Sequence, residues 1–77
     1  MLEYERTYRE GGSIAFDYFV EGDKADCGSV TFDEESGEAI VAERAPGDFG
    51  NRYANHLLSE IESKKGDLPD SGCIMWY

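Results

Sequence analysis

Near Asp48 the chain changes rhythm: apolar residues recur at every second position before it and at every third or fourth after it. A period of two places alternate side chains on opposite faces of a strand, whereas spacings of three and four line one face of a helix. Strands followed by a helix point to an α+β domain. With only 77 residues, the chain has room for one domain.

Four runs carry the strand signal. In Leu2 to Arg9, Leu2, Tyr4 and Tyr8 share one face, with Glu3, Glu5 and Thr7 on the other. Gly11-Gly12 follows, a pair suited to the positive φ angles of a tight hairpin turn. Ser13 to Val20 turns Ile14, Phe16, Tyr18 and Val20 one way and Ala15, Asp17 and Phe19 the other. Glu21-Gly22-Asp23-Lys24 reads as a turn. Cys27 to Asp33 and Glu38 to Arg44 are the third and fourth strands, joined through Asp33-Glu34-Glu35-Ser36-Gly37. Short turns between successive strands predict an antiparallel meander.

Ala45-Pro46-Gly47-Asp48 breaks the pattern, with Asp48 a candidate N-cap. The apolar stripe Phe49, Tyr53, Ala54, Leu57, Leu58 and Ile61 then predicts an amphipathic helix. Its opposite face carries Arg52, Asn55, Ser59 and Glu62. Glu60 and Lys64 form an i,i+4 pair. Gly66 is the expected left-handed C-cap. After a loop from Leu68 to Gly72, the β-prone Cys73 to Tyr77 predicts a fifth strand, giving β-β-β-β-α-β. A helix of about 16 residues is about 24 Å long, enough to cross one face of the sheet. That favours the order 5-1-2-3-4, all antiparallel. The alternative places strand five parallel to strand four through a right-handed crossover.

One helix covers one face only. The other face should present Phe19 and some of the tyrosines, and an exposed aromatic patch marks an interface. Phe19 is thus a candidate interface residue. A homodimer through this face or an edge strand is one expectation.

Charge narrows the partners. The net charge is −10. Residues 1–48 hold thirteen acids and four bases, and residues 49–77 four acids and three bases, so the acidity lies in the meander. Such a field repels nucleic acid and anionic membranes and attracts a basic partner. Rows of carboxylates could also imitate a phosphate backbone. Aromatics at 13% of the chain argue against disorder. No apolar run approaches the roughly 20 residues of a membrane span. The polar start, Met1 to Glu10, lacks a signal peptide. Cys27 and Cys73 are too few for a disulfide scaffold, so a cytoplasmic location with free thiols is expected.

Chemistry-bearing patterns are sparse. A Cys73 thiolate beside His56, oriented by Glu60, can be drawn, but no local motif supports it. Cys and His total three, short of a structural zinc set. The acidic turns lack the pattern of a calcium loop. Gly47 and Gly50 flank a helix start without the lysine of a phosphate loop. These readings favour no catalytic residue, metal or cofactor. One pocket is conceivable between helix and sheet, lined by Tyr53, His56 and Trp76, as in a small ligand-binding protein or enzyme.

The last third, from Tyr53-Ala54-Asn55-His56 through Leu68-Pro69 to Gly72 and Met75-Trp76-Tyr77, resembles the ending of small uncharacterised bacterial proteins. In these an amphipathic helix leads to a Pro-containing loop and a terminal Trp-Tyr strand. The resemblance implies a fold and no activity. The function expected from the whole sequence is that of a non-enzymatic interaction or accessory protein.

Overall fold

A computed structural model describes residues 1–76. Its strands are β1 (Leu2–Glu10), β2 (Ser13–Val20), β3 (Cys27–Asp33), β4 (Glu38–Glu43) and β5 (Ser71–Ile74). A 3-10 turn, Phe49–Asn51, leads into the single helix α1, Arg52–Ser63. The sheet order is β4-β3-β2-β1-β5, with every neighbour antiparallel. This is the favoured order; the parallel alternative is not formed. Gly11 and Gly12 turn the first hairpin with φ of 60° and 81°. Among the described residues no helix is long and apolar enough to cross a membrane.

The helix covers the face from which Leu2, Ile14, Phe16, Tyr18, Val30 and Phe32 project. Ala54, Leu57 and Ile61 close over them, all fully buried. Beyond the helix, Leu68 seals the core, and Tyr4 meets Phe16 edge-on at 5.8 Å. Two buried rings lie over glycines on the neighbouring strand. Tyr18 is paired with Gly28 and Tyr4 with Gly72. A Cβ at Gly28 would stand 2.5 Å from Tyr18 Cε1, and one at Gly72 would stand 2.7 Å from the Tyr4 hydroxyl. A ring laid over a cross-strand glycine fills the space its missing side chain leaves.

The entry to the helix departs from expectation. Gly50 and Asn51 are left-handed, with φ of 71° and 58°, so the helix begins at Arg52 rather than Phe49. This turn swings Phe49 off the apolar stripe, leaving it 75% exposed with the Arg44 guanidinium 5.6 Å from its ring. Asp48 is not at the N-cap position; Asn51 is, and its side chain makes no capping bond. Asp48 caps from three residues upstream. Its buried carboxylate accepts the Tyr53 N–H at 2.8 Å and the Ala54 N–H at 3.0 Å. The Tyr18 hydroxyl donates to the same carboxylate at 2.8 Å and accepts the Ala45 N–H at 3.0 Å. A buried carboxylate is thus held by three donors and the positive end of a helix.

Burial, with the Asp48 carboxylate adding to it, pushes the Tyr18 hydroxyl up to about 12 from its ordinary 10.0, although the Ala45 N–H opposes the shift. The protonated phenol is the form the fold retains. Its contribution is complete below pH 10 and is lost as the pH rises towards 12. Alkaline unfolding, followed by circular dichroism, should steepen across this window. Y18F should remove that part of the slope.

The helix ends in a Schellman arrangement, with the Gly66 N–H donating to the Ile61 carbonyl at 2.8 Å. That bond makes Lys65, at φ 54°, the first left-handed residue, one position earlier than expected. Gly66, at φ 79°, comes next and packs under the Phe32 ring. A side chain in the left-handed region costs about 1 kcal/mol. The exposed Lys65→Gly change should therefore raise unfolding free energy by about that amount, as read by urea denaturation.

The fifth strand also lies earlier than its apolar run suggests. It starts at Ser71, because Gly72 fits beneath Tyr4, and ends at Ile74. Met75 and Trp76 leave the sheet. The expectation for Tyr77 lies outside the described residues.

Candidate functional site

The face of the sheet opposite the helix is its uncovered surface. Register places its side chains in rows across the strands. One row runs Ser71, Glu5, Asp17, Ser29 and Glu43 from β5 to β4. Another runs Cys73, Glu3, Phe19 and Cys27. A third, at the far end, runs Glu10, Ser13, Asp33 and Glu38. Two carboxylate pairs, Glu5 with Asp17 and Asp33 with Glu38, are therefore directly opposite on neighbouring strands. Like charges so placed destabilise a sheet.

The Lys24 side chain crosses this face. The Lys24 ammonium lies 3.5 Å from Glu5 Oε1 and 4.0 Å from Glu3 Oε1. Among the described residues, Asp17, Asp33, Glu38 and Glu43 make no ion pair. The local field is felt at Cys27. Burial, and then the carboxylates of Asp17 and Glu43, push its thiol above the ordinary range.

Phe19 lies on this face as the alternation requires, but it is not an exposed anchor. It is 5% exposed, because Lys24 folds back from the β2–β3 loop and sets its ammonium 3.8 Å from the ring centroid. Tyr8, by contrast, is on this face and exposed. The register shift between Arg6 and Tyr8 turns it away from Leu2 and Tyr4, whose face it was expected to share, and sets it in a row with Ala15, Thr31 and the exposed Ile40. The open face is therefore acidic with an apolar row across it, rather than a patch centred on Phe19.

Tyr53, His56 and Trp76 do come together. The His56 and Trp76 rings stack at 3.9 Å with an 11° interplanar angle, and Tyr53 meets Trp76 edge-on at 5.3 Å. The rings pack on one another rather than around a space. The Tyr53 hydroxyl donates to Glu21 at 2.8 Å. The Met1 amine, and then this hydroxyl, hold the Glu21 carboxyl below its usual range.

The imagined relay of Cys73 and His56 has no support in this arrangement. Cys73 belongs to the open face, whereas His56 is stacked on Trp76. Cys27 and Cys73 are free, and three strand spacings, about 14 Å, lie between them. A disulfide needs its Cα atoms within about 7 Å. Among the described residues no group of three or more His, Cys, Asp or Glu side chains is placed to hold a metal.

Two concavities lie beside the acidic rows. The larger, about 320 Å³, lies where β5 meets β1 and is bounded by Glu3, Glu5, Lys24, Ser71 and Cys73. The smaller, about 180 Å³, lies beside Asp33, Glu38 and Ile40. Neither is bounded by Tyr53, His56 or Trp76. Sequence reasoning found the acidity of the meander but not its arrangement. Rows of opposed carboxylates follow from strand register, which alternation alone does not give. Comparison of the chain with protein-family models, curated proteins and solved structures finds no match.

Proposed function

We propose that this is a non-enzymatic interaction protein whose uncovered sheet face binds a basic partner. The observation that carries the reading is the direct opposition of carboxylates in two pairs, Glu5 with Asp17 and Asp33 with Glu38. Such pairs cost the free protein stability, and local rules are broken in this way where a surface has work to do. A cation laid across the face relieves the repulsion, as Lys24 already does at one end. The separation of the two thiols suits a cytoplasmic setting, where no disulfide is required.

The test uses a lysine-rich peptide and calorimetry at low and high salt. Binding should appear at low salt and weaken steeply as salt screens it. D17N should stabilise the free protein by about 0.5 kcal/mol and weaken the peptide. Replacing Lys24 with glutamine should tighten the peptide by freeing Glu3 and Glu5. No binding at low salt, or a D17N protein less stable than the parent, would refute the reading.

A further inference from the structure

We infer that the partner's binding segment is an extended basic peptide that adds to the sheet as a sixth strand along β5, with alternate cationic side chains reaching into the concavity beside Glu3 and Glu5. This rests on the proposed binding of a basic partner and specifies where and how it docks. The first support is the contrast between the two sheet edges. Sheet edges invite further strands unless charge, bulges or covering groups block them. The β4 edge is guarded. It carries Glu38 and Glu43, its register shifts near Ala42, and the Ala39 N–H is already taken by Glu62 Oε2 at 2.8 Å.

Among the described residues, the β5 edge has none of these guards. Its residues, Ser71-Gly72-Cys73-Ile74, include no charge and no proline. Its pairing with β1 shows no register shift. The Arg6 N–H donates to the Asp70 carbonyl at 2.7 Å, which fixes the phase of the β1–β5 ladder. In that phase Gly72 and Ile74 turn their backbone groups towards β1, while Ser71 and Cys73 turn theirs outwards. Two N–H and two C=O groups are therefore presented to an incoming strand.

The second support is what lies beside that edge. The concavity of about 320 Å³ runs from Ser71 and Cys73 to Glu3 and Glu5. A strand added to β5 stands about 4.8 Å outside it and points every second side chain onto this face. A lysine or arginine there leans over small residues, Ser71 and Cys73, and reaches the carboxylates one strand further in. Backbone pairing then supplies affinity and the acidic concavity supplies selectivity, the usual division of labour in strand addition. A second copy of this chain suits the site less well, since it brings a net charge of −10 against another −10.

The experiment measures binding of a short peptide alternating lysine and threonine, in three forms. One is unmodified, one is N-methylated on the amides that face the protein when lysines point into the concavity, and one is N-methylated on the opposite set. The first set of methyl groups should weaken binding at least about tenfold, and the second should leave it nearly unchanged. S71P removes an outward N–H without touching a bond to β1, and should weaken the parent peptide similarly. Circular dichroism checks that this variant is folded, and the methylated peptides make the same test without altering the protein. Equal binding of all three forms would overturn strand addition while leaving the acidic-face reading intact. Failure of the unmodified peptide at low salt would overturn both. Self-association that S71P abolishes, with no peptide binding, would assign the edge to a second copy instead.

Discussion

Replacing Asp48 with alanine is expected to cost about 3 kcal/mol, judged from the worth of hydrogen bonds to a charged group and of a helix cap. A domain of this size has roughly 4–12 kcal/mol of stability in total, so the loss is a quarter or more of the whole and should show as a large drop in the urea midpoint. Three donors lose their acceptor together: the Tyr18 hydroxyl and the Tyr53 and Ala54 N–H groups. D48N keeps the shape and one carbonyl oxygen but turns an amide NH₂ towards N–H donors, and should cost about 2 kcal/mol. Urea denaturation of D48A, Y18F and the double variant gives the coupling. The two changes should fall well short of additivity, because Tyr18 and Asp48 satisfy each other. Additive losses would mean that the helix cap and the tyrosine act independently.

The second large effect is expected at Gly28. A Cβ there would stand 2.5 Å from Tyr18 Cε1 and 2.6 Å from both the Ala45 nitrogen and the Glu43 carbonyl oxygen. Two of these neighbours are backbone, which cannot swing aside. The ring can move only by breaking its bonds to Asp48 and Ala45. G28A should therefore destabilise by about 2–3 kcal/mol. G72A is the informative comparison. The atoms nearest its new Cβ all belong to the Tyr4 ring and hydroxyl, so the substitution should cost about 1 kcal/mol. Equal losses at the two sites would show that the sheet, and not the Tyr18 network, resists the added methyl.

Much of this architecture is legible in the chain. Period-two alternation gave four strands, and the Tyr53–Ile61 stripe gave a helix whose Ala54, Leu57 and Ile61 are buried. The errors lie where a backbone conformation or a side-chain contact, local in two cases and long-range in one, overrides the alternation. Asp48 looks like an ordinary N-cap until Gly50 and Asn51 adopt left-handed conformations and displace the helix start. Ser71 and Gly72 look like loop until the Tyr4 ring is present to cover the glycine. Phe19 looks exposed until Lys24 returns across it from the next loop. At the candidate site the composition announced an acidic surface. The opposition of Glu5 to Asp17 emerged only when register fixed which carboxylates face each other.

The sheet departs from sequence order at one seam, where β5 joins β1. The other three pairings link consecutive strands and close short loops. This one brings Leu2 to Ile74 across nearly the full length of the chain. Loop-closure entropy rises with the logarithm of the enclosed length, and contacts between distant residues slow folding. The meander can therefore assemble from local encounters while β5 waits for the helix and the Leu68 loop to bring it home. The strand at the unguarded edge is then also the one whose attachment carries the greatest entropic burden.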